Sequence, residues 1–297
     1  IFDIDLSSSS YFKSNINYFA IIIGGALFGA GMMIADGCSS RSIVKFSQGD
    51  ANALVTLLFI AIFAFASTKG ILFGVVNGFI NNQFMIDISS NLSNFTLNIY
   101  FVLAILVLLL AYFVKKVKRV FSLYDGVIIG FLVGLSWFIS GYIGAESIEK
   151  EIQVQALSYV FPSAKTLEFF TFFEITELSI GVCIVLGAIF GAYFSTFFNK
   201  KYSFGCTSKM NFNKLKYNMI GGSMMGIGGI MAIGCTVGQG LSGVSTLVFS
   251  SFLAIISIGV SGFITGKILY KKDKLPMCFL FEWEDDDKKQ KPLDYEI

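Results

Sequence analysis

The chain has 297 residues, of which 55% are hydrophobic and 14% charged, with a net charge of +2 and no histidine. Soluble domains carry about 25% charged residues, so the composition points to an integral membrane protein and gives no basic stripe for nucleic acid. The lack of histidine removes the commonest metal ligand and proton shuttle, and the five cysteines form no C-x-x-C pair, which excludes zinc and iron–sulfur spacing.

Crossing a bilayer takes about 20 apolar residues. Spans are expected at 18–35, 51–67, 98–114, 123–143, 169–198, 217–233 and 246–270. Shorter apolar pieces at 70–80, and after Cys38 and Cys235, cannot cross alone and read as half-membrane or re-entrant helices. Such pieces are tolerated in a bilayer only inside protein or facing water. The 33 Phe and three Pro suit helices rather than a barrel. The chain opens at Ile1 without a start Met, so an upstream segment is expected. One transmembrane domain is expected over 1–270, in halves of about 1–120 and 121–270, followed by a polar cytoplasmic tail at 271–297.

Positive charge in short loops marks the cytoplasmic side. Lys115, Lys116, Lys118 and Arg119 form one inner loop. Lys200, Lys201, Lys209, Lys214 and Lys216 form another, and Lys267, Lys271, Lys272 and Lys274 put the tail inside. Residues 81–97 carry no Lys or Arg and are expected outside.

Residues 24–38 read GGALFGAGMMIADGC and residues 221–235 read GGSMMGIGGIMAIGC. Aligned without a gap they agree at seven of fifteen positions, including Gly37/Gly234 and Cys38/Cys235. Threading the chain through the charged loops sends the segment after Cys38 toward the cytoplasm and the segment after Cys235 outward. The expected architecture is therefore an all-α polytopic bundle of two inverted, pseudo-symmetric halves, with a substrate path where they meet. Packing alone explains Gly-rich faces, because glycine lets helix backbones approach. It does not require a cysteine at the same place twice.

Small polar residues follow each cysteine: Ser39, Ser40 and Ser42 in the first copy, Thr236, Gln239 and Ser242 in the second. Backbone amides in such turns form anion nests, and Arg41 and Lys45 add positive charge at the inner mouth. Asp36 and Asp50 flank the first copy and no carboxylate flanks the second, so an anion path fits better than a cation path. A cysteine among apolar groups stays a thiol, a weak donor. Weak donors in series suit a path that must both accept and release an ion. Candidate path residues are Cys38, Cys235, Gly37, Gly234, Ser39, Arg41, Thr236 and Gln239. A soft, sulfur-bearing anion is the natural guest, and a covalent persulfide relay stays open. Trp137 and Tyr142 either line the path or anchor a span end, Cys183 reads as core, Cys206 as a loop residue and Cys278 as part of the tail.

The two Gly-Cys segments, the second continuing as TVGQGLSG, resemble the signature segments of the YeeE/YedE family, and GLSWFISGYIGA at 134–145 resembles its central stretch. The resemblance covers roughly 18–270. It implies a bacterial inner-membrane importer of thiosulfate, without cofactor or catalysis, in which Cys38 and Cys235 hydrogen-bond to the anion in passing. It also implies a third path cysteine in an N-terminal segment that has no counterpart in this chain. Other members handle other sulfur or selenium species, and a TusA-like cytosolic sulfur carrier is an implied partner. The rival expectations are a membrane sulfurtransferase using a cysteine persulfide, which lacks a histidine to activate it, and a non-transporting assembly subunit.

Overall fold

The fold was obtained as a computed structural model, which describes residues 17–81, 108, 121–143, 156–172, 179–198 and 212–272. The expected span at 98–114, the outer loop at 81–97, the basic loop at 115–119, Cys206, Cys278 and the tail beyond 272 fall outside those residues, Leu108 and Asn81 apart.

The described residues fold as helices. The first group is α1 (Tyr18–Ile34), α2 (Ser39–Ser47), α3 (Ala51–Thr68) and α4 (Phe73–Asn81). The middle group is α5 (Phe121–Phe138), which continues as a wider turn over Ile139–Ile143, then α6 (Val160–Phe172) and α7 (Ile180–Phe198). The last group is α8 (Phe212–Met231), the short α9 (236–245) with a π-helical centre at Gly238–Gly243, and α10 (Phe249–Lys271). Asn17 starts α1 by accepting from Phe19 N and Ala20 N, and Asp50 starts α3 by accepting from Asn52 N. Each side chain satisfies amides that a helix start leaves without a partner.

The centre of the bundle is a crossing of α1 and α8. A Cβ on Gly24 would sit 2.8 Å from Gly228 O, and one on Gly228 would sit 2.6 Å from Gly24 O. Gly31 and Gly221 stand in the same relation, at 2.7 and 2.6 Å. An early residue of α1 thus meets a late residue of α8, so the helices run antiparallel with backbones touching. Only glycine fits there. The outer partners are reciprocal too. Gly25 and Gly29 of α1 pack on Ala254 and Ile258 of α10, whereas Gly222 and Gly226 of α8 pack on Thr56 and Ile60 of α3. Ser257 and Ser261 of α10 donate hydrogen bonds to Ile22 O and Ala26 O of α1. Asn218 of α8 donates to Asn52 O of α3 at 3.2 Å. Between helices in lipid, such close van der Waals contact and polar bonds supply the attraction that the hydrophobic effect does not.

Among the described residues, four helical stretches are long and apolar enough to cross a membrane: Tyr18–Ser47, Ala51–Thr68, Ile180–Phe198 and Phe249–Lys271. Large apolar side chains cover the outside of the bundle, among them Phe190, Phe194 and Phe197 on α7 and Val260, Phe263 and Ile264 on α10. In water such a surface would be a severe liability; against acyl chains it is the matched surface. The protein is a helical integral membrane protein.

One expected span needs correction. The apolar run 169–198 is not one long helix. It is divided between α6, which ends at Phe172, and α7, which begins at Ile180. The intervening sequence carries Glu174 and Glu177, which hydropathy averaging hides. Gly181 lets α7 lie against the start of α6, where a Cβ would sit 3.2 Å from Pro162.

Candidate functional site

Both Gly-Cys segments end a long helix in the same way. At the end of α1, Ala35 N donates to Gly31 O at 2.9 Å and Gly37 N reaches back to Met32 O at 3.0 Å. At the end of α8, Ala232 N donates to Gly228 O and Gly234 N to Gly229 O, both at 2.8 Å. This closure needs a left-handed residue between cap and glycine. Asp36 (φ 60°) and Ile233 (φ 59°) occupy it. Gly37 follows at φ 152°, and a side chain there would also press on the Arg41 methylenes.

Each cysteine then begins a short helix. Cys38 is extended (φ −77°, ψ 172°), and its carbonyl accepts the first bond of α2 from Ser42 N at 2.9 Å. The carbonyl of Cys235 accepts from Gln239 N at 2.8 Å, and its sulfur accepts from Gly238 N at 3.3 Å. The sulfur of Cys38 lies 3.1 Å from Ser40 Oγ. Both thiols therefore sit at the partly positive end of a helix, where free amides favour an anion. Cys235 is fully buried and Cys38 half-buried, and both belong to one apolar cluster with Phe28, Ile60, Met225 and Val160. That cluster joins residues from both ends of the chain.

The other expected path residues lie around the thiols in unlike settings. Ser39 is buried and its hydroxyl has no hydrogen-bond partner. Thr236 is half-buried at the start of α9, and Gly234 packs against the Gln239 side chain. Gln239 is buried, and its Nε2 donates to Ala232 O at 2.6 Å, so half of its amide is committed to closing the end of α8. Its Oε1 has no partner. Arg41 is exposed at the side of α2. Lys45, rather than lying free at the mouth, donates to Asp36 O at 2.7 Å and to Asp36 Oδ2 at 2.9 Å.

Trp137 is not a span-end anchor. It is buried and donates from Nε1 to Ser245 Oγ at 3.0 Å, tying α5 to the end of α9. Cys183 is exposed on α7 rather than in the core. The side chain of Tyr142 lies outside what the structure describes.

Sequence reasoning missed Tyr159. It stands just before α6, half-buried against the cluster that holds both cysteines. Its signal was a Tyr three residues ahead of Pro162 in a stretch without a span. Proline in a first helical turn marks a helix start, but nothing local says that this start meets a cluster holding cysteines 121 residues before it and 76 after it. Among the described residues, no three His, Cys, Asp or Glu side chains gather to hold a metal ion.

Two polar breaks in apolar helices bring both thiols and two short-helix starts to one buried cluster of a helical membrane protein. The chain belongs to the sulphur transport family, whose model matches residues 4–264. It is 20% identical over 262 residues to the thiosulfate transporter TsuA of Escherichia coli strain K12, covering 79% of this chain and 70% of that one. It is 26% identical over 300 residues to the thiosulfate transporter TsuA of Spirochaeta thermophila, covering 86% and 79%.

Proposed function

We propose that this protein carries thiosulfate, or a closely related sulfur anion, into the bacterial cytoplasm along a path that passes Cys38 and Cys235. The observation that carries this reading is the meeting of the two cysteines in one buried cluster, each at the start of a short helix. The helix starts offer positive potential without a mobile cation, and the thiols offer weak donors to a soft anion. Tyr159 packs against the same cluster and brings a hydroxyl to it. Ser39, with its unpartnered hydroxyl, and Gln239 Oε1 are further polar atoms near the route. Gly37 and Gly234 let the chain turn from long helix to cysteine, Thr236 lies at the outer start of α9, and Arg41 attracts the anion at the inner mouth.

The reciprocal packing of α1 on α10 and α8 on α3 around the antiparallel α1–α8 crossing supports two inverted halves that share the path. Both relatives are named thiosulfate transporters, which supports the choice of guest. The test is growth of a sulfur auxotroph on thiosulfate as its sole sulfur source, paired with uptake of ³⁵S-thiosulfate into proteoliposomes. Growth and uptake that need this chain support the reading, and uptake equal to that of empty vesicles sinks it. A TusA-like carrier is the proposed inner acceptor, tested by its retention on the purified protein.

A further inference from the structure

Beside the end of α1 lies a small polar cavity of about 10 Å³, lined by Asp36, Ser42, Lys45, Asp50, Asn52, Thr56 and Asn218 with Ala35 and Ala53. That is room for about one water-sized particle. Four elements build it: the end of α1, the flank of α2, the start of α3 and the inner part of α8. It adjoins the cysteine cluster through Ala35 but is lined by neither cysteine.

Three needs of this cavity are unmet. Asp36 is only 7% exposed, and its Oδ1 has no hydrogen-bond partner. Asn52 is 5% exposed, and its Oδ1 has none either. Asp50 is 9% exposed and has no ion pair among the described residues; Oδ1 accepts one amide bond from Asn52 N. Buried polar atoms are bonded and buried charges are paired in stable proteins. Lys45 answers Asp36 Oδ2 and the Asp36 carbonyl. One lysine against two aspartates leaves a net negative charge, which the start of α3 offsets by only about half an elementary charge.

We propose that the cavity binds one small monovalent alkali cation, sodium in the first instance. A water could donate to Asp36 Oδ1 and Asn52 Oδ1 but would leave the charge of Asp50 unpaired. A monovalent cation answers both oxygens and neutralises the site. A divalent ion would overcharge it and would need more carboxylates than are present. Oxygen ligands of this hard type suit alkali and alkaline-earth ions rather than transition metals. The carbonyl end of α1 points its negative pole into the same place, a setting in which interrupted membrane helices hold sodium. The second Gly-Cys element has no such cavity chemistry, because Ile233 stands where Asp36 stands in the first.

The site does not depend on which anion is carried, so the test reads the cation directly. The probe is ²²Na⁺ bound to the detergent-purified full chain by scintillation proximity, with choline holding ionic strength constant. The expected result is saturable binding of one ion per chain, competed by unlabelled Na⁺ and not by choline. Asp50→Asn keeps the helix cap, since asparagine caps as well as aspartate, and should weaken binding at least about tenfold, the scale of one lost charge contact. Asn52→Leu should weaken it as well, with elution and melting in choline unchanged as the check on folding. No saturable ²²Na⁺ binding by the native chain would mean that the cavity holds water only, and would overturn the proposal. Binding by Asp50→Asn equal to that of the native chain would overturn it too.

Discussion

The two Gly-Cys elements share a backbone and differ in chemistry. Both close a glycine-rich helix through a left-handed residue and start a short helix at cysteine. In each, a side chain of the short helix bonds back to a carbonyl near the break: Lys45 to Asp36 O, Gln239 to Ala232 O. The first copy uses charge, with Asp36 and Lys45 paired beside a half-buried Cys38. The second is neutral, with Gln239 at the break beside a fully buried Cys235. Apart from the cysteines, the repeated parts are those that main-chain geometry and close helix contact require. The parts that diverge are the side chains that close each break, a charged pair in one copy and a neutral amide in the other.

The comparison breaks most sharply at the sulfurs. Cys235→Ala is expected to abolish ³⁵S-thiosulfate uptake while the protein still inserts, because no other thiol in the described cluster can replace it except Cys38. Cys38→Ala should lower uptake by roughly tenfold to hundredfold, the value of a hydrogen bond to a charged group. Cys38→Ser should fall between Ala and the native chain. Equal loss in Ser and Ala would point to covalent sulfur chemistry instead.

The central crossing gives the next largest effect. Gly24→Leu and Gly228→Leu each drive a side chain into the opposite backbone. Overpacking of this kind costs typically about 1–3 kcal/mol, and the two variants should lose melting temperature in detergent by similar amounts. A loss confined to one would show that the reciprocal contacts are not energetically equal.

The left-handed positions separate the copies again. Asp36→Gly relieves backbone strain but strands Lys45, and breaking a buried pair costs about 3–5 kcal/mol. Ile233→Gly relieves strain of about 1–3 kcal/mol and gives up packing against the Tyr18 and Ile21 cluster. The first variant should melt well below the native protein and the second close to it.

The smallest effect lies on α6, which has no duplicate in the sequence. Burial pushes the Glu168 carboxyl up, but hydrogen bonds from Lys69 and Lys165 outweigh it and hold the group below the usual glutamate range. A depressed carboxylate stabilises the fold above its ordinary pKa, and that stabilisation is lost as pH falls through the depressed value. Glu168→Gln should therefore lower the melting temperature slightly at neutral pH and not at strongly acidic pH. An exposed partner such as Lys69 keeps the effect below about 1 kcal/mol. Uptake should be unchanged.

The amino-acid sequence by itself determined the membrane setting, the positions of α1, α3, α5, α8 and α10, and the duplicated break at each cysteine. These follow from hydropathy, helix length and local turn chemistry, which neighbouring residues carry. The tertiary structure decided which surfaces meet. It split the 169–198 run into α6 and α7, buried Trp137, exposed Cys183 and closed Lys45 onto Asp36. It also brought Tyr159 to the two cysteines, and Asp36, Asp50, Asn52 and Asn218 into one cavity. Those outcomes depend on contacts between residues far apart in the chain. In an apolar bundle, where lipid-facing and core-facing residues look alike, local pattern leaves such contacts open.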